Sequence, residues 1–148
     1  MVIGGVEQVW GALTEPDFCQ VAAEIAQSLK GGEVIFLQGQ LGAGKTTFVR
    51  AFLKALGHTG LVRSPTYTWV ESYQLAGYLI YHFDFYRLER PEFVLGLGLD
   101  DYQEDKQAIW LVEWPEKAQG FLPQPSLTLN IDVVDAERRC VRVSKPQE

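Results

Sequence analysis

The stretch GQLGAGKT, residues 39–46, does most to limit what this chain can fold into. It satisfies the spacing GxxxxGK[ST] in full. It lies between a short apolar run, EVIFLQ (33–38), and a segment of helical periodicity, TTFVRAFLKAL (46–56). A strand, a glycine-rich turn and a helix in that order give the spacing its meaning. Gly39, Gly42 and Gly44 permit backbone angles and close approach that a side chain would block. The loop amides, that of Ala43 among them, and the start of the helix then point at a polyphosphate. Lys45 reaches the outer phosphates as a point charge. Thr46 offers a hydroxyl to Mg²⁺, which also takes phosphate oxygens and water. Thr47 stays open between a phosphate contact and a place on the helix surface.

The rest of the chain supplies the partners that such a unit needs. VEQVW (6–10) alternates weakly, as a short strand does. Thr14 is placed to cap a first helix, because Glu15, Pro16 and Asp17 follow it. Phe18, Val21, Ala22, Ile25, Ala26 and Leu29 recur at helical spacing up to the glycines at 31–32. Gly57 closes the second helix. YTWVESYQL (67–75) and YLIYHFDFYRL (78–88) read as strands joined by a turn at Ala76–Gly77. Pro91 opens a short helical stretch, and GLGLDDYQEDKQ (96–107) is acidic and loop-like. AIWLVEW (108–114) is a buried strand, followed at Pro115 by a short helix or turn. SLTLNIDVV (126–134) and RRCVRVS (138–144) form a second hairpin across DAE, and SKPQE ends the chain as a frayed tail. The expected architecture is α/β: a P-loop NTPase-like three-layer sandwich whose mixed sheet has a parallel core with antiparallel hairpins added.

With 148 residues, 47% of them hydrophobic, the chain suits one folded domain spanning 1–148. The net charge of -6 weighs against a surface that grips nucleic acid by itself, because phosphates are neutralised by Lys and Arg. Cys19 and Cys140 lie far apart and match no metal-ligand or redox spacing, so they read as reduced thiols. No apolar run reaches the roughly 18 residues of a membrane span. The N-terminus lacks the basic start and apolar stretch of a secretory signal. A cytoplasmic protein without a membrane anchor is expected.

A phosphate loop needs a carboxylate nearby to hold the metal or orient the attacking group. Glu113 ends the apolar run AIWLVEW, and Asp84 is held between aromatics in YHFDFYR. Ionised carboxylates are rarely buried without a partner, so both read as placed at strand tips near a cation. The plainer alternative is a strand-end acid that caps a helix or pairs with Arg87. By strand alternation His82, Asp84 and Tyr86 share one face. His82 reads as a structural histidine. Thr66, in SPTY, follows the P-loop helix at the end of the loop 57–66, where a switch threonine would meet Mg²⁺ and the outer phosphate; the plainer alternative is a strand-start threonine after Pro65. Trp114 is read first as core. The clusters Arg50/Lys54 and Arg138/Arg139/Arg142 read as solvated faces, equally suited to meeting an acidic partner or an RNA.

GQLGAGKTT, SPTY, HFDFYR and LVEWPE occur together and in this order, and that combination resembles the bacterial TsaE (YjeE) family, the small ATPase of tRNA threonylcarbamoyladenosine biosynthesis. The likeness runs from about Thr14 to Val143. It implies binding of ATP with Mg²⁺, weak ATPase activity alone, and action with TsaB and TsaD. Those proteins, with a TsaC-type synthase, modify adenosine 37 of tRNA, so tRNA is reached only through the complex. Hydrolysis would reset the complex between turnovers. By motif, the resemblance gives Lys45 to phosphate, Thr46 and Glu113 to Mg²⁺, Asp84 to hydrolysis and Thr66 to the switch. It adds Trp114, Thr14 and Glu116 as nucleotide contacts.

Two other readings compete. A small-molecule kinase also needs a P-loop and acids, but it usually carries an arginine-rich mobile lid, and the segment 96–107 has acids and no arginine. A nucleotide-sensing adaptor would have no need of Asp84 and Glu113.

Overall fold

A computed structural model of the protein describes residues 7–75 and 77–146. Val6, Ala76 in the first hairpin turn, and residues 147–148 of the expected tail lie outside the described residues. Among the described residues, seven strands form one sheet: β1 (Glu7–Leu13), β2 (Val34–Gln38), β3 (Val70–Leu75), β4 (Tyr78–Asp84), β5 (Ile109–Glu113), β6 (Leu127–Val133) and β7 (Arg139–Ser144). The helices are α1 (Glu15–Ser28), α2 (Lys45–Ala55) and the short α3 (Leu99–Tyr102), with 3₁₀ turns at Pro91–Leu97 and Pro115–Ala118.

The strand order is β1-β7-β6-β2-β5-β4-β3. β2 runs parallel to both β5 and β6, and β4 runs parallel to β5. The antiparallel partners β3 and β7 extend this core on either side, and β1 closes on β7. The mixed sheet expected from the sequence is therefore present. Its central strands read as continuous apolar runs because both of their faces are covered. Ile35, Leu37, Ile109, Leu111 and Ile80 meet Phe48, Phe52 and Val21 from α1 and α2 on one face. Val34, Trp110, Val112 and Phe83 meet Val94, Leu99 and Ala118 on the other.

Four local expectations change. The strand expected at 67–75 begins only at Val70, because Trp69 takes φ 72° and the chain from Tyr67 turns. The strand expected at 78–88 ends at Asp84, whose carboxylate accepts the amide of Tyr86 at 2.9 Å and turns the chain. Tyr86 and Arg87 are thus off the strand, and the alternation that placed them does not apply. The segment 96–107 is not all loop, since α3 lies inside it and buries Leu99. Ser144 still pairs with Thr128, so the tail starts later than expected.

Candidate functional site

The loop between β2 and α2 is shaped by its neighbours. A Cβ on Gly39 would lie 2.6 Å from the Ile131 carbonyl oxygen, so β6 leaves room only for glycine. Gly44 caps α2 with φ 116°, a conformation closed to most side chains. The first amides of α2 therefore open toward the loop, where an anion gains from both the free N–H groups and the helix dipole.

Lys45 is 5% exposed. Its Nζ donates to the carbonyl oxygens of Gly39 and Gln40, the latter at 3.1 Å, and lies 4.1 Å from the centre of the Trp114 ring. Burial lowers its pKa, and the charges of Glu113, Glu116 and Asp84 oppose that shift. Trp114, at φ 58°, turns the chain after β5 and also touches Tyr86, ring centres 5.0 Å apart. It belongs to this site as well as to the core beneath it.

The carboxylates arrive from the two strands beyond β2. Parallel register sets Leu37 beside Glu113 and Glu113 beside Asp84, so three strand ends finish in one row. Both acids are nearly enclosed. Burial pushes the Asp84 carboxyl above its ordinary value. The Tyr86 amide pulls it back, Glu113 raises it again, and the Thr66 hydroxyl lowers it. Thr66 Oγ1 donates to Asp84 Oδ2 at 3.1 Å and shares a 2.8 Å hydrogen bond with Ser64 Oγ. Arg87 makes no ion pair with Asp84. It stacks over Tyr67 instead, 4.7 Å from the ring centre. Glu113 Oε2 lies 2.6 Å from Nε2 of the fully buried His82.

These residues line one cavity of about 390 Å³: Gly42, Gly44, Lys45, Thr46 and Thr47 on the loop side, Thr66, Asp84, Glu113 and Trp114 opposite. Thr47 is therefore not simply a surface residue. A second cavity of about 370 Å³ adjoins it at Gly44 and Thr47, with Thr14, Phe18, Ala43 and Arg139 among its walls. Thr14 does precede α1, as expected, yet its hydroxyl bonds the Asp17 carboxylate at 3.3 Å and no backbone amide. Glu116 is not brought to either cavity. It is exposed and lines a separate hollow with Gln38 and Gln119.

Arg139 corrects the sequence reading. It is no solvated charge: Nε donates to the Ala43 carbonyl at 2.8 Å, and Nη1 donates to the carbonyls of Asp135 and Arg138. It stitches the β6–β7 hairpin to the phosphate loop. Nothing local in RRC distinguishes it from Arg138, which pairs with Asp135 in the open. Ser64 was also missed, although SPT already put it two residues from Thr66.

A mixed sheet whose parallel core carries the glycine-rich loop, lysine and threonine at the carboxyl ends of its strands defines a P-loop nucleotide-binding protein. Residues 13–141 match the family described as threonylcarbamoyl adenosine biosynthesis protein TsaE, and the chain belongs to that family. The chain is 50% identical over 105 residues to the tRNA threonylcarbamoyladenosine biosynthesis protein TsaE of Haemophilus influenzae, a match covering 71% of this chain and 66% of that protein. The Aquifex aeolicus protein of the same name is 42% identical over 133 residues, 88% of this chain and 90% of that one. The crystal structure of Bacillus subtilis YdiB superposes with a TM-score of 0.81 at 30% identity, covering 99% of this chain and 90% of that chain. Among the described residues, no helix is long and apolar enough to cross a membrane.

Proposed function

We propose that this single-domain chain is a Mg²⁺-dependent ATPase of the cytoplasm that supports N6-threonylcarbamoyladenosine formation in tRNA. It would do so by driving turnover of a TsaB–TsaD complex. The observation that carries the ATPase reading is the shared cavity, in which Lys45 and Thr46 face two buried carboxylates across a space fit for a polyphosphate. The pathway and the partners rest on family membership.

The donor set suits Mg²⁺, which prefers hard oxygen ligands and keeps several waters. Thr46 and Glu113 would hold it, and when bound it would neutralise charge on the outer phosphates.

The chain's own groups divide the remaining work. Lys45 leaves the Gly39 and Gln40 carbonyls for the phosphates, and the amides of residues 42–47, in the loop and the first turn of α2, donate to the phosphate oxygens. The nucleoside end lies in the adjoining cavity, against Thr14, Phe18 and Arg139. Asp84 orients the attacking water, and Thr66, hydrogen-bonded to it, couples the loop 57–66 to that carboxylate. Glu116 acts on Lys45 through its charge. Such a site works by positioning, so turnover is slow until a partner fixes the loop. ATP hydrolysis measured with and without purified TsaB–TsaD tests this. Stimulation of at least roughly tenfold is expected, a lowering of the barrier by about 1.4 kcal/mol. An unchanged rate would remove the partner from the mechanism.

A further inference from the structure

Of the four buried polar or charged side chains among the described residues, Lys45, Asp84 and Glu113 have tasks in the proposed hydrolysis and His82 has none. His82 is 0% exposed. Its Nε2 meets Glu113 Oε2 at 2.6 Å, and its Nδ1 has no hydrogen-bond partner. A leucine at this place on β4 would bring no unmatched polar atom of its own, as the histidine does with Nδ1. The ring is therefore used at one end only, and that end touches a single group.

The sheet explains the reach. His82 and Asp84 share the face of β4 that Ile80 presents to the α1/α2 core, and Glu113 shares the matching face of β5 with Leu111. His82 stands one row below the Asp84–Glu113 pair, so it meets the Glu113 carboxylate from beneath. A carboxylate oxygen accepts, so the tautomer that serves this contact is the one with its proton on Nε2, donated to Oε2. Oε1 of Glu113 has no hydrogen bond among the described residues and remains for the cavity that Glu113 lines.

We propose that His82 is a positioning residue: its Nε2–H fixes Oε2 of Glu113 so that Oε1 is the oxygen offered to the Mg²⁺ of the nucleotide site. This rests on the reading of Glu113 as a metal-holding group. Carboxylates beside metals commonly depend on such outer partners, whose loss weakens metal affinity roughly 10- to 100-fold.

The test is the Mg²⁺ concentration that half-maximally enhances binding of a fluorescent ATP analogue, read in wild type, His82→Leu, His82→Gln and His82→Asn. Binding in EDTA and thermal unfolding are followed in parallel. Gln carries its amide nitrogen about as far out as Nε2, whereas Asn reaches only to the Nδ1 position. The midpoint should rise roughly tenfold or more in His82→Leu and His82→Asn and return close to wild type in His82→Gln, with EDTA binding unchanged in all. If His82→Leu fails to fold, the Gln/Asn pair carries the same contrast. Equal midpoints for Gln and Asn, or a wild-type midpoint in His82→Leu beside a lowered unfolding temperature, would make His82 merely structural. Glu113→Gln separates the two layers. A shifted midpoint there with none at His82 sinks only this inference, whereas no shift at Glu113 sinks the metal reading and this inference with it.

Discussion

Asp84 shows how a single residue in this site trades stability for chemistry. Its carboxyl is nearly enclosed and its pKa is raised chiefly by that burial. The unfolded chain therefore releases this proton at a lower pH than the folded one. Asp84's contribution to stability is full below its unfolded pKa and is lost as pH rises through the folded value. At neutral pH the buried charge is a burden, so Asp84→Asn should raise stability by about 1 kcal/mol, the scale recovered when an active-site compromise is removed. Melting curves of the two proteins should show a gap at pH 7 that narrows as pH falls into the acid range. The same side chain is the proposed water-orienting group. Asp84→Ala should hold ATP with near wild-type affinity in equilibrium binding while hydrolysis falls at least roughly 100-fold. Lost binding would instead make Asp84 a ligand or a structural post. The sequence marked Asp84 because an acid among aromatics is rare. It could not mark the Thr66 hydroxyl as its partner, since 18 residues separate the two and only the fold closes that distance.

The phosphate loop is an element whose form depends on strands on either side of it. β6 presses the Ile131 carbonyl against Gly39, and both sides of that contact are backbone, so neither yields easily. Gly39→Ala should destabilise the protein by about 1–3 kcal/mol, measurable in chemical denaturation, even though the site is empty of ligand in that assay. On the far side, Arg139 grips the Ala43 carbonyl from the start of β7. Arg139→Ala removes a charged donor from three carbonyls. It should lower stability by about 1–2 kcal/mol and weaken nucleotide binding several-fold in a titration. Helices α1 and α2, both hairpins and the parallel runs were legible because their signals are local: period, turn residues and the glycines that end each helix. Arg139 was not, because which of three arginines turns inward follows from hairpin register and from a loop 96 residues away. The ends of β3 and β4 were misjudged for a related reason. Aromatic strand formers continue past Asp84, but the carboxylate takes the Tyr86 amide and ends the strand.

At the scale of the whole molecule, one sheet separates two apolar clusters and brings the ends of β2, β5 and β4 to one edge. The segment 96–107, the lid a kinase would need, folds its Leu99 and Tyr102 against the face opposite α2, where Tyr102 meets Tyr81 and Phe83. The chain carries a net charge of -6, and its proposed route to tRNA runs through the partner pair. The isolated protein should therefore leave tRNA unshifted in an electrophoretic assay at physiological salt, while the assembly with TsaB and TsaD shifts it. The sequence by itself determined the phosphate loop, the class of fold and the two acids, because each is written in adjacent residues whose chemistry does not depend on distant ones. Only the tertiary structure decided that Glu113 rests on His82, that Arg139 holds the loop and that Thr66 meets Asp84. Those contacts depend on strand order and register, which the packing of both faces sets across the whole chain.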